Sequence, residues 1–458
     1  MGKSYGETLT IKQDTVRKLL KGLPVSVLPI IPSPDSCYYR NKVHAAFGYN
    51  RGKIICGMYE TSSHRICENE GCFLENQKAA SIINTIKNLA QSFKLSIYDE
   101  RRGVGVLRRV LVRTADETGQ ILVVIVIGDR NFPGKKNFVK ALLDKHPEIT
   151  SIVMNINTRK DSMILGNKSE VVYGKGYITD ILCGLKFRIS PESFYQINRR
   201  QTEQLYSKAI ELAELSHKDK VIDAYCGIGT IGMACSSACG SVTGVELNPH
   251  AVKDAINNAK TNAVKNVRFI CGDAGEFMVQ EASSGHKYDV VILDPPRAGT
   301  TPEFIKACYT LSPKKIVYVS CNPETLARDL PIFMEYGFNP VDAVPVDMFP
   351  WTDSIETVVQ LSKGSVPSQD VKVKFSMENV SSAKYLDKPA TYEQIKTYVK
   401  EHSGLNVSSL YIAQVKQKYG IIERDCYNLP KSDDSRQPKC PESKEKAIVE
   451  ALKYFKMI

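Results

Sequence analysis

Lys220-Val-Ile-Asp-Ala-Tyr225-Cys-Gly-Ile-Gly-Thr-Ile-Gly232 reads as an apolar strand that ends in a glycine turn and runs directly into a helix. Gly227 and Gly229 carry no Cβ, so the turn can be tight and a ligand can approach its backbone. About twenty residues on, a second apolar strand, Ser241–Glu246, ends in a carboxylate placed to accept hydrogen bonds from a ribose diol. Strand, glycine turn, helix, strand, acid is the pattern of a nucleoside-cofactor site. Asp273, after a third strand, fits either a place near the adenine or an ordinary helix N-cap before Gly275.

Outward from this stretch the same rhythm continues. Apolar strands at Val267–Gly272, Tyr288–Asp294 and Lys315–Ser320 alternate with helical spacing at Pro249–Ala263, Gly275–Ala282, Pro302–Tyr309 and Pro323–Met334. Strands that are apolar throughout and separated by helices predict a parallel sheet covered on both faces. Pro340–Val346 and Ser354–Leu361 fit a closing antiparallel hairpin. Upstream, residues 26 to 184 read as β-rich, with helices at Gln77–Phe93 and Asn137–His146. Ile11–Leu23 reads as a basic amphipathic helix. Downstream, Ser362-Lys-Gly-Ser-Val-Pro-Ser-Gln reads as a linker. Beyond it, helical spacing at Tyr392–His402, Ser408–Tyr419 and Ser443–Phe455 fits a helix-turn-helix outline or a small helical add-on that binds nothing.

The expected fold class is therefore α/β: a Rossmann-like, mostly parallel sheet with an antiparallel last hairpin, a β-rich α+β N-terminal domain and a small helical C-terminal extension. The expected boundaries are 1–185, 186–363 and 364–458. The 458 residues are 43% hydrophobic and 24% charged, which excludes a fibrous or fully disordered chain. No apolar run approaches the ~20 residues of a membrane span, and the N-terminus lacks a signal-peptide core, so a cytoplasmic protein is expected. Thirteen scattered cysteines read as reduced thiols. Lys and Arg number 61 against 50 Asp and Glu, which favours a polyanionic partner without requiring one.

Three further segments bear chemistry. Asp294-Pro-Pro-Arg-Ala-Gly299 follows the fourth strand, so it faces the same crevice as Gly227 or is a simple strand-to-helix turn. Cys321 follows the fifth strand just before a Pro-opened helix. It is either a buried small hydrophobe or a nucleophile whose pKa the helix N-terminus lowers. Glu356 begins an otherwise apolar strand, as an exposed edge residue or as a general base in a water-poor site.

Together with Ser190-Pro-Glu-Ser-Phe-Tyr-Gln196-Ile-Asn198 and Asp347-Met-Phe-Pro-Trp-Thr-Asp-Ser-Ile-Glu356-Thr, these segments resemble the RNA 5-methyluridine methyltransferases, which use S-adenosylmethionine on tRNA or 23S ribosomal RNA. The resemblance runs from about Ser33 to Leu361. It implies that Gln196, Tyr225, Gly227, Gly229, Thr230, Glu246, Asp273 and Asp294 hold the cofactor, and that Asp294, Phe194 and Arg297 meet the substrate. It also implies that Cys321 is the nucleophile and Glu356 the proton-abstracting base. The implied partner is RNA, 23S rRNA ahead of tRNA, met by a monomer without a membrane.

Three departures from the family stand out. There is no room for the β-barrel domain with which many relatives begin. The Cys-x5-Cys-x2-Cys segment of many relatives is absent, and Cys37, Cys56, Cys67, Cys72 and Cys183 do not restore it, so no iron–sulfur cluster or other metal is expected. Trp351 and Ser354 stand where relatives commonly have histidine. Two other readings remain open here: an amino-group methyltransferase built on Asp294-Pro-Pro, which needs neither Cys321 nor Glu356, and a catalytically inactive RNA-binding protein that keeps the fold. The basic clusters Arg40-Asn-Lys42, Arg101-Arg102, Arg108-Arg109 and Arg199-Arg200 are expected to contact phosphates.

Overall fold

The computed structural model describes residues 2–60, 63, 65–68, 71–100, 102–159, 163–364, 392–419 and 440–455. Arg101 and the linker beyond Gly364 lie outside them. Helix α1 (Tyr5–Leu19) starts at a reciprocal cap, with the Ser4 hydroxyl accepting from the Glu7 N–H and the Glu7 carboxylate accepting from the Ser4 N–H. It is followed by the two-residue strand β1 (Ser26–Val27).

A seven-stranded sheet comes next, built from β2 (Lys42–Asn50), β3 (Lys53–Tyr59), β4 (Ile66–Glu68), β5 (Leu107–Thr114), β6 (Ile121–Ile127), β7 (Ile149–Ile156) and β8 (Lys168–Tyr173). Helices α2 (Gln77–Ser92) and α3 (Lys135–Lys145) interrupt it. Its order is β4-β3-β2-β5-β6-β7-β8. All its pairs are antiparallel except β6–β7, whose parallel pairing uses α3 as the crossover. β5 and β6 are buried along their whole length; β6 is accordingly apolar throughout, while β5 carries the buried arginines Arg108, Arg109 and Arg113. One face lies under α2 and α3, and the other joins a core that continues into the rest of the chain.

That shared core changes the expected organisation. No break falls near residue 185, and Met1–Pro367 forms one compact unit. Nor does the first segment belong to the β-rich sheet. β1 pairs with the far edge of the second sheet, and Val16 and Leu20 of α1 are buried against that sheet's core. Besides the short strands β1 and β4, a hairpin and a helix were absent from the sequence reading. The hairpin β9 (Ile178–Leu182) and β10 (Leu185–Ile189) turns on Cys183-Gly184, both at positive φ, and Cys-Gly is not a usual turn signature. Helix α4 (Arg199–Ala213) has an apolar stripe of Leu205, Tyr206, Ala209 and Leu212 behind a conspicuously basic start.

The second sheet comprises β11 (Lys220–Ala224), β12 (Ser241–Glu246), β13 (Val267–Cys271), β14 (Val290–Leu293), β15 (Lys315–Ser320), β16 (Phe338–Val346) and β17 (Glu356–Lys363). The intervening helices are α5 (Thr230–Cys235), α6 (Pro249–Thr261), α7 (Ala274–Ser283), α8 (Pro302–Leu311) and α9 (Pro323–Glu335). The order, β1-β16-β17-β15-β14-β11-β12-β13, is parallel except for β17, which runs against both neighbours. Helices α6, α8 and α9 each start with a side-chain cap (Asn248, Thr301, Asn322) and a proline at the first turn, so each strand turns sharply into its helix. The carboxyl ends of β11, β12, β14 and β15 therefore share one edge, and the reversed β17 contributes its amino end there.

The second compact unit, Ser368–Ile458, is described over α10 (Tyr392–Ser403), α11 (Ser409–Lys418) and α12 (Glu442–Tyr454). They share a core of Ile395, Val399, Ile412, Val415, Ile448 and Leu452, with Gly404 at positive φ after α10.

Candidate active site

A cavity of about 540 Å³ opens at the shared edge of the second sheet. Ten of the residues singled out in the sequence line it: Phe194, Gln196, Tyr225, Gly227, Thr230, Glu246, Asp294, Arg297, Cys321 and Glu356. Gly229 and Asp273 do not. Gly229 sits at φ +81°, and a Cβ there would come within 2.6 Å of the Phe269 ring, so the glycine serves packing. Asp273 is exposed and its carboxylate accepts from the Glu276 N–H, the helix-cap alternative.

The glycine turn and the acid at the next strand end are coupled directly. Glu246 accepts from the Gly227 N–H at 3.0 Å and from the Asn248 N–H at 2.8 Å, which fixes its carboxylate while leaving lone pairs free. Gly227 is at φ +55° with open space where a Cβ would stand. A backbone cradle beside an immobilised carboxylate suits a nucleoside ribose, so these residues fit S-adenosylmethionine. Tyr225 is held at φ +64°, a strained conformation for a residue with a side chain, and its ring stacks on Phe304 with centroids 6.0 Å apart. Asp223 is buried behind the turn, where it caps α5 through the Gly232 N–H at 2.8 Å. Burial pushes its pKa up to about 7.

The segment bearing Phe194 and Gln196 is positioned by the first sheet. Buried Arg113 of β5 donates to the carbonyls of Pro191 and Ser193, and Asn41 donates to the Gln196 carbonyl at 3.0 Å. Gln196 is buried, whereas Phe194 is 63% exposed, an unpartnered aromatic ring at the cavity wall. Such a ring is a surface on which a base can stack.

Cys321 and Glu356 approach each other at the adjoining ends of two paired strands. Ser320 and Thr357 are the last pair of the β15–β17 ladder, Cys321 follows the first and Glu356 precedes the second, and both line the cavity. Glu356 lies on an interior strand and is 3% exposed, so it is not an edge residue, and its Oε2 has no hydrogen-bond partner. Burial, and then the Asp294 charge, raise its pKa to about 8 against the opposing pull of Arg297. Burial raises Asp294 to about 7. The expected lowering of the Cys321 pKa is not found. Burial first, then the Glu356 and Asp294 charges, push the thiol up to about 11, with Arg297 opposing. The ligand-free site thus holds a thiol beside a protonated carboxyl group at neutral pH.

Ser354, noted as a departure from the family, also lines the cavity, as do Tyr195, Tyr206 and Phe349, which were not singled out. Tyr206 shares a 2.8 Å hydrogen bond with Thr230 and comes from α4, whose apolar stripe was the available signal. The basic clusters fare differently. Arg108 and Arg109 are buried and paired with Glu100, and Arg199 is buried between Glu117 and Glu203. Burial lowers the Lys42 pKa to about 8. These cations hold the fold, which removes Arg108, Arg109 and Arg199 from the expected phosphate contacts. Arg200 is exposed and paired with Asp35. Among the described residues, no group of three or more His, Cys, Asp or Glu could hold a metal ion, and no helix is long and apolar enough to cross a membrane.

Comparison with known proteins is consistent with this geometry. Residues 4–364 match the family model described as tRNA (Uracil-5-)-methyltransferase. An uncharacterized RNA methyltransferase of Clostridium tetani is 40% identical over 362 residues, covering 78% of this chain and 79% of that protein. One of Halalkalibacterium halodurans is 39% identical over the same length and coverage. The crystal structure of Pyrococcus abyssi tRNA (uracil-54, C5)-methyltransferase in complex with S-adenosyl-L-homocysteine superposes with a TM-score of 0.66 at 29% identity, covering 78% of this chain and 83% of that one. The chain belongs to the tRNA (uracil-5-)-methyltransferase family and is an S-adenosylmethionine-dependent RNA methyltransferase.

Proposed function

We propose that this enzyme methylates C5 of a uridine in RNA, with Cys321 as nucleophile and Glu356 as base. The observation that carries the reading is the convergence in one cavity of a thiol and a buried carboxyl group, at the adjoining ends of β15 and β17, with one carboxyl oxygen unpartnered among the described residues. Gln196, Tyr225, Gly227, Thr230 and Glu246 would hold S-adenosylmethionine, which supplies an electrophilic methyl carbon. C5 of uracil is too weakly nucleophilic to take it unaided. The Cys321 thiol gives up its proton to solvent, and attack of the thiolate on C6 converts the base to an enolate with nucleophilic character at C5. Phe194 stacks on the base, Asp294 and Arg297 orient it, and the uridine leaves its helical stack to enter the cavity. After methyl transfer, Glu356, ionised by loss of its own proton to solvent, takes the C5 proton, and the C5–H electron pair expels the Cys321 thiolate from C6. The first substrate to test is 23S rRNA. The second is tRNA, which the name of the Pyrococcus abyssi enzyme specifies.

The two proposed catalytic groups separate by what their variants accumulate. Cys321→Ala should form neither 5-methyluridine nor a covalent RNA adduct. Glu356→Gln should add and methylate once, then stall as a Cys321–RNA adduct visible as a shifted band on a denaturing gel. Product from Cys321→Ala, or an adduct mapping to another cysteine, overturns the mechanism and returns the amino-group methyltransferase reading. Mapping 5-methyluridine in 23S rRNA and tRNA from cells with and without the gene identifies the substrate. Unchanged 5-methyluridine in both overturns the assignment.

A further inference from the structure

The turn between β16 and β17, residues 347–355, supplies Phe349 and Ser354 to the cavity wall and leads straight into Glu356. It is an unfavourable piece of backbone. Trp351 sits at φ +64°, a conformation that persists only where the surroundings over-determine it. The surroundings that do so come from the first 73 residues. Lys12 of α1 reaches the turn and donates to Asp347 Oδ1 at 2.5 Å, to the Phe349 carbonyl at 2.9 Å and to the Ser354 carbonyl at 2.9 Å. Those three bonds use all the protons of its ammonium group. The Tyr5 hydroxyl donates to Asp347 Oδ2 at 2.7 Å and accepts from the Ser33 N–H at 2.9 Å. Tyr39 donates to the Pro350 carbonyl at 3.0 Å, while the rings of Tyr5 and Phe73 flank Trp351 with centroids at 5.6 and 5.9 Å.

Lys12 and Asp347 are 3% and 0% exposed. A buried ion pair of this kind is a poor device for stability alone, because desolvation offsets most of its attraction and apolar residues of similar size often serve as well. What apolar residues could not reproduce is a donor that ties the two carbonyls on either side of Trp351 to one point. We propose that Lys12 is a positioning residue for the methyl-transfer site. By fixing the Phe349–Ser354 turn it sets the wall of the uracil pocket and the attitude of Glu356, which makes α1 a working part of the active site. The proposal rests on the assignment of Glu356 as the base.

The test separates positioning from fold maintenance. Lys12→Met alone strands a buried carboxylate, so it is paired with Asp347→Asn, which removes both charges and leaves an acceptor for Tyr5. The double variant should melt within a few degrees of wild type and bind S-adenosylmethionine with unchanged calorimetric affinity, because Gln196 and Glu246 sit on other elements. Its kcat for 5-methyluridine formation should fall about tenfold to a hundredfold, the usual consequence of an ångström-scale misplacement. The Cys321–RNA adduct, quenched during turnover, should decay more slowly than in wild type. Lys12→Arg keeps the cation beside Asp347 but changes the donor geometry, and should show the same loss of kcat if the double variant fails to fold. Wild-type kcat in either folded variant, or equal loss of cofactor affinity and kcat, overturns the proposal. Failure of the underlying mechanism shows elsewhere, as product from Cys321→Ala.

Discussion

At the scale of single residues, the site is loaded with protonated acids. Glu356 has its folded pKa raised from 4.5 to about 8 by burial, so the folded state holds a proton that the unfolded chain gives up. Its neutral form is fully compatible with the fold below pH 4.5. Stability is then lost as pH rises through about 8, since only the unfolded chain gains by ionising. Glu356→Gln should therefore raise the melting temperature at pH 8.5, by about 2–4 °C for each kcal/mol relieved, and should leave it unchanged near pH 4.5. Calorimetric scans at the two pH values decide this, and an equal shift at both removes the argument. Cys321 carries the companion expectation. With its thiol at about 11, iodoacetamide labelling followed by peptide mapping should find it slower at pH 7.5 than exposed Cys37, and accelerating up to pH 11. Fast labelling at neutral pH contradicts the electrostatics described.

At the scale of elements, the two glycines of the β11–α5 turn make opposite demands. Gly227→Ala places a methyl group in open space beside the Glu246 carboxylate, so it should fold with about 1 kcal/mol of backbone strain and lose affinity for S-adenosylmethionine. Gly229→Ala drives a methyl group into the Phe269 ring and should lower stability further, with soluble yield and melting temperature as readouts. If Gly227→Ala binds the cofactor normally, the cradle is not where the ligand lies. This turn was legible in the sequence because strand, glycine and helix signals coincide over a dozen residues. The antiparallel β17 and the strand-end residues Cys321, Asp294 and Glu246 were legible for the same reason. Helix α4 was not, since Arg199-Arg200 drew the eye to its surface when Arg199 is in fact buried. The roles of Arg108 and Arg109 were hidden too, because a cation that pairs with Glu100 across a folded loop leaves no periodic trace in the chain.

At the scale of the whole molecule, the chain is two compact units, and every residue of the cavity lies in the first. A chain ended after Pro367 should keep its melting temperature and its affinity for S-adenosylmethionine. If the helical unit carries RNA, as its helix-turn-helix outline allows, the same truncation should weaken RNA binding in a filter or anisotropy titration. Equal RNA affinity with and without residues 368–458 removes that role. The sequence places a boundary near residue 185, where the strand rhythm changes to strand, turn, helix; the first compact unit runs through that point, because the two sheets share one core.

Cys321 and Glu356 are far apart along the chain, but each adjoins the last pair, Ser320 and Thr357, of the hydrogen-bonded ladder of β15 and β17. Their closeness is a property of that strand pairing and does not depend on the covalent path between them. The enzyme should thus tolerate new termini there. A circular permutant opened at Tyr336-Gly337, the half-buried corner after α9, would break the chain between nucleophile and base while leaving the β15–β17 pairing that brings them together.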